Sequence, residues 1–163
     1  MSKMTLTEVV KKGLKMKKED RASMLGIGPM SKTLIKASII LAKEKDFPLM
    51  FIASRNQVDS QELGGGYVCN WDQKGFSDAI KNIAEEVGFD GLYYLCRDHG
   101  GPWQRDKERK DHLPEDKAME LGKKSYIADI ENGFDLLHIY PTKDPYVVGE
   151  VIDVNVVLLM TLE

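Results

Sequence analysis

The chain has 163 residues, of which 42% are hydrophobic, 30% charged and 8% aromatic, a balance that belongs to a globular protein with a core of its own. Its 23 lysines and arginines stand against 26 acids for a net charge of −3, which supplies no long-range field for gripping a phosphate backbone and argues against general nucleic-acid binding. Cys69 and Cys96 form no CxxC pair and read as reduced thiols. The apolar stretch 154–160, interrupted by Asn155, falls far short of the roughly 20 residues of a membrane helix. No secretory signal is visible among Lys3, Lys11, Lys12 and the few apolar residues around them, so a cytoplasmic location without membrane contact is expected.

Residues 5–20 place Leu6, Val9, Val10 and Leu14 at helical intervals with lysines between them, which predicts an amphipathic helix with a solvated face. The short apolar run 23–28, closed by Gly28-Pro29, predicts a buried strand that ends in a turn. Ser31 can cap a following helix whose Leu34, Ile35, Leu41 and Ala42 share one face. Residues 48–54 are apolar at nearly every position, as in a strand covered on both sides. A glycine-rich loop, Gly64-Gly65-Gly66, leads to a helix bearing Phe76, Ala79, Ile80, Ile83, Ala84 and Val87 and closed by Gly88. A third strand is predicted at 91–96. A long charged connection then reaches Pro114, which opens another helix that stops at Asn132-Gly133. A fourth strand follows at 134–140, and Asp144-Pro145 marks the start of a further helix. Residues 151–160 are β-branched enough for a strand, while the order of elements favours a helix.

Four strand-then-helix units predict a parallel sheet with right-handed crossovers, hence an α/β fold. Such sheets carry their chemistry in the loops after the strand C-termini. Those loops hold Met30-Ser31-Lys32, Ser54-Arg55-Asn56-Gln57, Arg97-Asp98-His99, and His138 with Tyr140, Thr142 and Lys143, all expected on one face of the sheet. Asp98 and His99 are the sharpest pair, because an imidazole can ligate zinc while a neighbouring carboxylate transfers protons to a substrate whose oxygen the metal polarises. The plainer alternative has Asp98 capping the following turn and His99 serving as an ordinary loop residue. Asn56 and Gln57 offer amides for sugar hydroxyls, and Gly65 and Gly66 could bring backbone N–H groups to a phosphate, the alternative being a flexible connection. Neither GxGxxG, GxxxxGK[ST] nor GxSxG occurs, which disfavours nucleotide binding by those routes and a serine nucleophile. The segment 97–112 mixes five basic with four acidic side chains and reads as a solvated loop, with His112 at the surface.

Taken in order, Ser54-Arg55-Asn56-Gln57-Val58, Gly65-Gly66-Tyr67, residues 76–89 ending Glu86-Val87-Gly88-Phe89, Asp98-His99-Gly100-Gly101-Pro102-Trp103-Gln104, and His138 resemble the non-catalytic subunit family of class II D-tagatose-1,6-bisphosphate aldolase. That family has also carried the name tagatose-6-phosphate kinase. The resemblance covers most of the chain. It implies a TIM barrel, of which residues 1–163 would form a single α/β domain: an N-terminal helix and about four βα units, set against about 250 residues for a whole barrel. It further implies an accessory role in galactitol, tagatose or amino-sugar catabolism, with sugar phosphate and a catalytic aldolase subunit as partners. By the same resemblance Asp98 would be the proton-transfer acid, and His99 and His138 would be ligands of zinc or another divalent metal. Asn56, Gln57, Gly65 and Gly66 are the expected substrate-binding residues. Tyr140 stands where the family usually has an acid. The kinase name has no motif behind it here.

Two alternatives accompany the accessory-subunit reading. One is a metal-dependent sugar or sugar-phosphate aldolase or 4-epimerase acting alone. The other is an inactive, truncated piece that persists by self-association, since four βα units leave both sheet edges unpaired.

Overall fold

The structure is a computed structural model that describes residues 4–20, 24–140 and 145–146. Its elements run α1 (Leu6–Lys15), β1 (Leu25–Ile27), α2 (Lys32–Lys45), β2 (Leu49–Ser54), α3 (Gln73–Val87), β3 (Tyr93–Gly100), α4 (Asp106–Lys110), α5 (Glu115–Glu131) and β4 (Leu136–Ile139). The strands form one sheet in the order β1-β2-β3-β4, every neighbouring pair parallel. Sequential order without reversal is the winding of a barrel, whereas a doubly wound sheet switches direction at its middle. The expected α/β class holds, as a partial TIM-barrel-like fold.

Side-chain alternation along the strands divides the core in two. Leu49, Phe51 and Ala53 of β2 and Leu95 of β3 face α2 and α3, where they are buried with Ile35, Ile39, Phe76 and Ile80. Met50 and Ile52 of β2, with Tyr94 and Cys96 of β3, point to the opposite face, which Leu6 and Val9 of α1 cover. Tyr94 fixes the start of that helix by donating its hydroxyl to the Met4 carbonyl at 2.8 Å. The helix itself opens on a capping box: the Glu8 N–H donates to the Thr5 hydroxyl at 3.3 Å, and the Thr5 N–H donates to the Glu8 carboxylate at 2.7 Å.

Several expectations stand as read. Ser31 caps α2, with the Leu34 N–H donating to its Oγ at 3.1 Å, and Gly88 closes α3 in the left-handed region. β2 is interior, flanked by β1 and β3. Others need correction. The first strand is not buried: among the described residues it is a three-residue edge strand whose Leu25 is 46% exposed, because an apolar run reports composition and not how many neighbours it will have. α1 ends at Lys15 instead of reaching residue 20, Met16 turning to an extended backbone before a short 3-10 turn at Lys18–Asp20. β3 runs four residues further than 91–96, through Asp98 and His99 to Gly100.

The largest difference concerns 97–112, expected as a solvated loop. Arg97, Trp103, Gln104 and Glu108 are buried there, and residues 106–110 form α4. Thr142, Lys143, the helix expected from Asp144-Pro145 and the element expected at 151–160 lie outside the described residues.

Both cysteines are free; Cys69 is exposed, and Cys96 is buried beneath α1, where desolvation, with a contribution from the Asp135 charge, pushes its thiol up to about 12. Since only the thiolate alkylates, iodoacetamide at pH 8 is expected to modify Cys69 alone in the native chain and both cysteines in denaturant. Mass spectrometry of the digested protein reads this directly. Modification of Cys96 at the same rate as Cys69 under native conditions would contradict the packing of α1 on the sheet.

Candidate functional site

β3 and β4 pair regularly from Cys96 opposite Leu136 and Arg97 opposite Leu137, and the next pair is Gly100 opposite Ile139. Three steps on one strand therefore match two on the other. Asp98 and His99 share the place opposite the single residue His138, which is a β-bulge. His99 absorbs the extra residue by taking φ of +46°, a left-handed backbone uncommon for a side chain of its size. The bulge lets two consecutive residues, which a regular strand would send to opposite faces, turn toward the same neighbour.

Asp98 is the hub of what results. Its Oδ1 accepts the His99 backbone N–H at 2.9 Å and lies 3.2 Å from Nδ1 of His138, while its Oδ2 lies 3.5 Å from Nε2 of His99. A hydrogen bond from His138 Nδ1 to this carboxylate would put the ring proton on Nδ1, and Nε2 has no partner among the described residues. Tyr140 stands edge-on to the His99 ring with centroids 4.7 Å apart, and the two imidazole centroids are separated by 6.1 Å. All three polar side chains keep between a third and a half of their surface open to solvent. The sequence-predicted trio of Asp98, His99 and His138 is thus brought together at the C-terminal ends of two adjacent strands. Among the described residues, no three His, Cys, Asp or Glu side chains are arranged to hold a metal ion. His99 and His138 supply two imidazoles, so the other donors of a four-coordinate site would have to come from elsewhere.

The four residues expected to bind substrate separate into two places. Asn56, Gly65 and Gly66 line one hollow of about 480 Å³, across from Arg105, Lys107 and Lys110. Gln57 turns away from it: its Oε1 accepts the Ser54 N–H at 2.8 Å and its Nε2 contacts Met30 Sδ at 3.1 Å. The Asn56 amide is engaged as well, its Oδ1 accepting the Asp106 N–H at 3.2 Å and its Nδ2 donating to Asp106 and to the Gln104 carbonyl. Gly64 and Gly65 spend their N–H groups on the carbonyls of Gln61 and Ser60. Gly66 is required by close approach, since a Cβ there would lie 2.1 Å from the Gln57 carbonyl oxygen. The triple glycine is therefore a packed turn, and no flexible connection.

Arg55, in the loop after β2, and Arg97, on β3, are fully buried and do not face the site. Arg97 makes a two-pronged pair with Asp129 of α5, Nε to Oδ2 at 2.8 Å and Nη2 to Oδ1 at 2.5 Å, and donates Nη1 to the Ala53 and Val58 carbonyls. Arg55 makes the same kind of pair with Glu108, at 2.8 and 3.1 Å, and donates to Asp59 at 3.1 Å. Asp59 also accepts from Gln73, Ser125 and Arg105. Burial pushes the carboxyls of Glu108 and Asp129 up, against the pull of their arginines. The sequence places Arg55 and Arg97 among the polar groups of the loops after the strands, expected to converge on one face. The available signal was the apolar strand immediately before each of them, which carries the chain into the interior.

The parallel sheet and its barrel-type winding define the class as a barrel-type α/β protein with a polar cluster at the strand C-termini. Residues 6–145 match the family described as D-tagatose-1,6-bisphosphate aldolase subunit GatZ/KbaZ-like, and the chain belongs to that family. Seven chains of known structure match. One is the "Crystal structure of a probable tagatose 6 phosphate kinase from Sinorhizobium meliloti 1021", 26% identical with a TM-score of 0.65 over 79% of this chain and 31% of that one. The chain thus spans about a third of the length of that solved relative. No curated protein matches the chain.

Asp129→Ala would leave the Arg97 guanidinium buried without its counter-charge and is expected to cost about 3–5 kcal/mol of stability. Urea denaturation measures it. The paired change Arg97→Met with Asp129→Leu should cost far less, and a single variant within 1 kcal/mol of wild type would refute the assignment of Asp129 as the buried partner.

Proposed function

We propose that this chain acts within an accessory subunit of D-tagatose-1,6-bisphosphate aldolase, binding sugar phosphate and supporting a separate catalytic subunit in carbohydrate catabolism. The observation that carries the proposal is the cluster of Asp98, His99 and His138 at the strand ends. It offers a carboxylate and two imidazoles to a polyhydroxylated ligand, with only two imidazoles available to a metal among the described residues. Asn56, Gly65 and Gly66 line the wall of the hollow between the glycine turn and α4, which would receive the phosphorylated end of the sugar. The family match over residues 6–145 supports the choice of aldolase partner.

A second reading makes the chain a metal-dependent aldolase or epimerase in its own right, with zinc or another divalent ion on His99 and His138 and Asp98 moving the proton. The favouring observation is the position of Asp98, within reach of both rings. One set of measurements separates the two. Under the first reading the chain co-purifies with the catalytic aldolase subunit and raises its activity or half-life, while the chain alone cleaves no ketose bisphosphate with or without added zinc. Activity of the chain alone that falls at least about a hundred-fold in Asp98→Asn would establish the second reading instead. An aldolase that neither binds the chain nor changes in its presence would overturn the first.

Among the described residues nothing pairs with the outer side of β1 or β4, and Leu25 and Leu136 on these strands are exposed, as are Ile127 and Ile130 on α5. Self-association of the isolated chain is the expected consequence. Static light scattering tests it; a monomer across the accessible concentration range would count against it, and Ile127→Lys with Ile130→Lys should shift any dimer toward monomer.

A further inference from the structure

We propose that the hollow between the glycine turn and α4 is an oxyanion site for a phosphate monoester, held by Lys107, Lys110 and the outer nitrogen of Arg105. The proposal deepens the binding role above and rests on it only for the choice of a sugar as the carrier of the phosphate.

The hollow, of about 480 Å³, has the size of a small-metabolite site. Most of the hydrogen-bonding capacity around it is already engaged: the Asn56 amide is tied to Asp106 and Gln104, and the N–H groups of Gly64 and Gly65 to carbonyls of their own turn. The N-terminus of α4 is closed too, because Asn56 Oδ1 accepts the Asp106 N–H. The charged side chains remain.

Arg105 is only 14% exposed and is fixed through Nη1, which donates to the Arg55 carbonyl at 3.1 Å and to Asp59 at 3.3 Å. Its Nη2 has no acceptor among the described residues, and it lies against the glycine turn, where a Cβ on Gly64 would come within 3.0 Å of it. Gly64 has φ of +103° as well, so a side chain at this position is opposed by backbone and by space alike. The ammonium groups of Lys107 and Lys110, three residues apart on one face of α4, border the same hollow and have no ion-pair partner among the described residues.

Two carboxylates also border it. Asp106 is committed to Arg109 and to the Asn56 amide, which leaves Asp111 as the one carboxylate there without an ion pair among the described residues. The balance is cationic in a chain whose net charge is −3. A dianionic phosphate meets that balance, and an arginine pre-positioned by Asp59 can receive one of its oxygens without first giving up another bond.

Isothermal titration of the full chain at low salt tests the site, with inorganic phosphate, a ketohexose 1,6-bisphosphate and the unphosphorylated ketohexose as probes. Both phosphorylated probes are expected to bind and the free ketose is not. Lys107→Ala combined with Lys110→Ala should weaken phosphate binding at least about ten-fold, with the melting temperature unchanged because both ammonium groups are exposed. Tighter binding of the bisphosphate supports the site with a sugar as carrier, and equal affinity supports it with phosphate itself as ligand. No binding of either phosphorylated probe, or equal binding by the double variant, overturns it. If the chain still co-purifies with the aldolase in that event, the failure lies with this site and not with the accessory role; phosphate binding without any effect on the aldolase is the reverse case.

Discussion

The loops that carry the candidate site stand on a buried set of three arginines and three carboxylates. Arg55, Arg97 and Arg105 face Asp59, Glu108 and Asp129, and all but Arg105 are buried. Removing six charges from water is costly, and the cost is offset only where every charge is paired in good geometry and the remaining lone pairs are used. The pairing of Arg55 and Arg97 is of that kind. Arg55 and Arg97 each meet a carboxylate with two prongs, and Asp59 accepts from two arginines, an amide, a hydroxyl and a backbone N–H. The pairs join segments far apart in sequence: the loop after β2 to α4 through Arg55, and β3 to α5 through Arg97. No apolar contact would fix those loops so closely, since a hydrophobic cluster tolerates sliding and a two-pronged ion pair does not.

This constraint explains how β3 can end in a strained backbone. His99 holds a left-handed conformation on a strand where Arg97, two residues earlier, is locked to Asp129 and to the Ala53 and Val58 carbonyls. On the far side of the bulge, the Gly101 carbonyl accepts from Arg55 at 2.7 Å. With the chain anchored before and after, Asp98 and His99 have little room to relax into regular pairing. Local strain of order 1–3 kcal/mol persists only when its surroundings over-determine it, and here the surroundings are the ion pairs.

The fold was legible in the sequence to the extent that it rests on periodicity. The spacing of Phe76, Ile80, Ile83 and Val87 gave α3, the cap at Ser31 gave the start of α2, and the continuous run at 48–54 gave an interior strand. Burial by pairing left no such trace. Arg55, Arg97 and Glu108 are charged residues, and periodicity treats them as solvent-facing because it scores each residue singly. What buries them is the residue opposite, 32 positions away for Arg97 and Asp129 and 53 for Arg55 and Glu108. The edge position of β1 was hidden for a similar reason, as the neighbours of a strand are a property of topology. In the site, strand order sufficed to bring Asp98 and His138 together. The separation of Gln57 from Asn56 was not readable, because adjacent residues in a tight turn diverge by an amount that only the turn geometry fixes.

The same distinction orders the polar groups at the C-terminal end of the sheet. A polar side chain whose donors and acceptors are all engaged inside the protein is part of the scaffold, whatever its position relative to a strand end. By that test Arg55, Arg97, Asn56 and Gln57 belong to the scaffold, although three of them lie in the loop after β2 and Arg97 lies toward the C-terminal end of β3, where parallel sheets carry chemistry. Nε2 of His138, Nη2 of Arg105 and the ammonium groups of Lys107 and Lys110 have capacity left over among the described residues. These groups come from β4 and from the connection after β3, with the glycine turn after β2 as the floor between the cations. The end of the sheet therefore presents a carboxylate–imidazole face and a cationic face, mounted on one ion-paired framework.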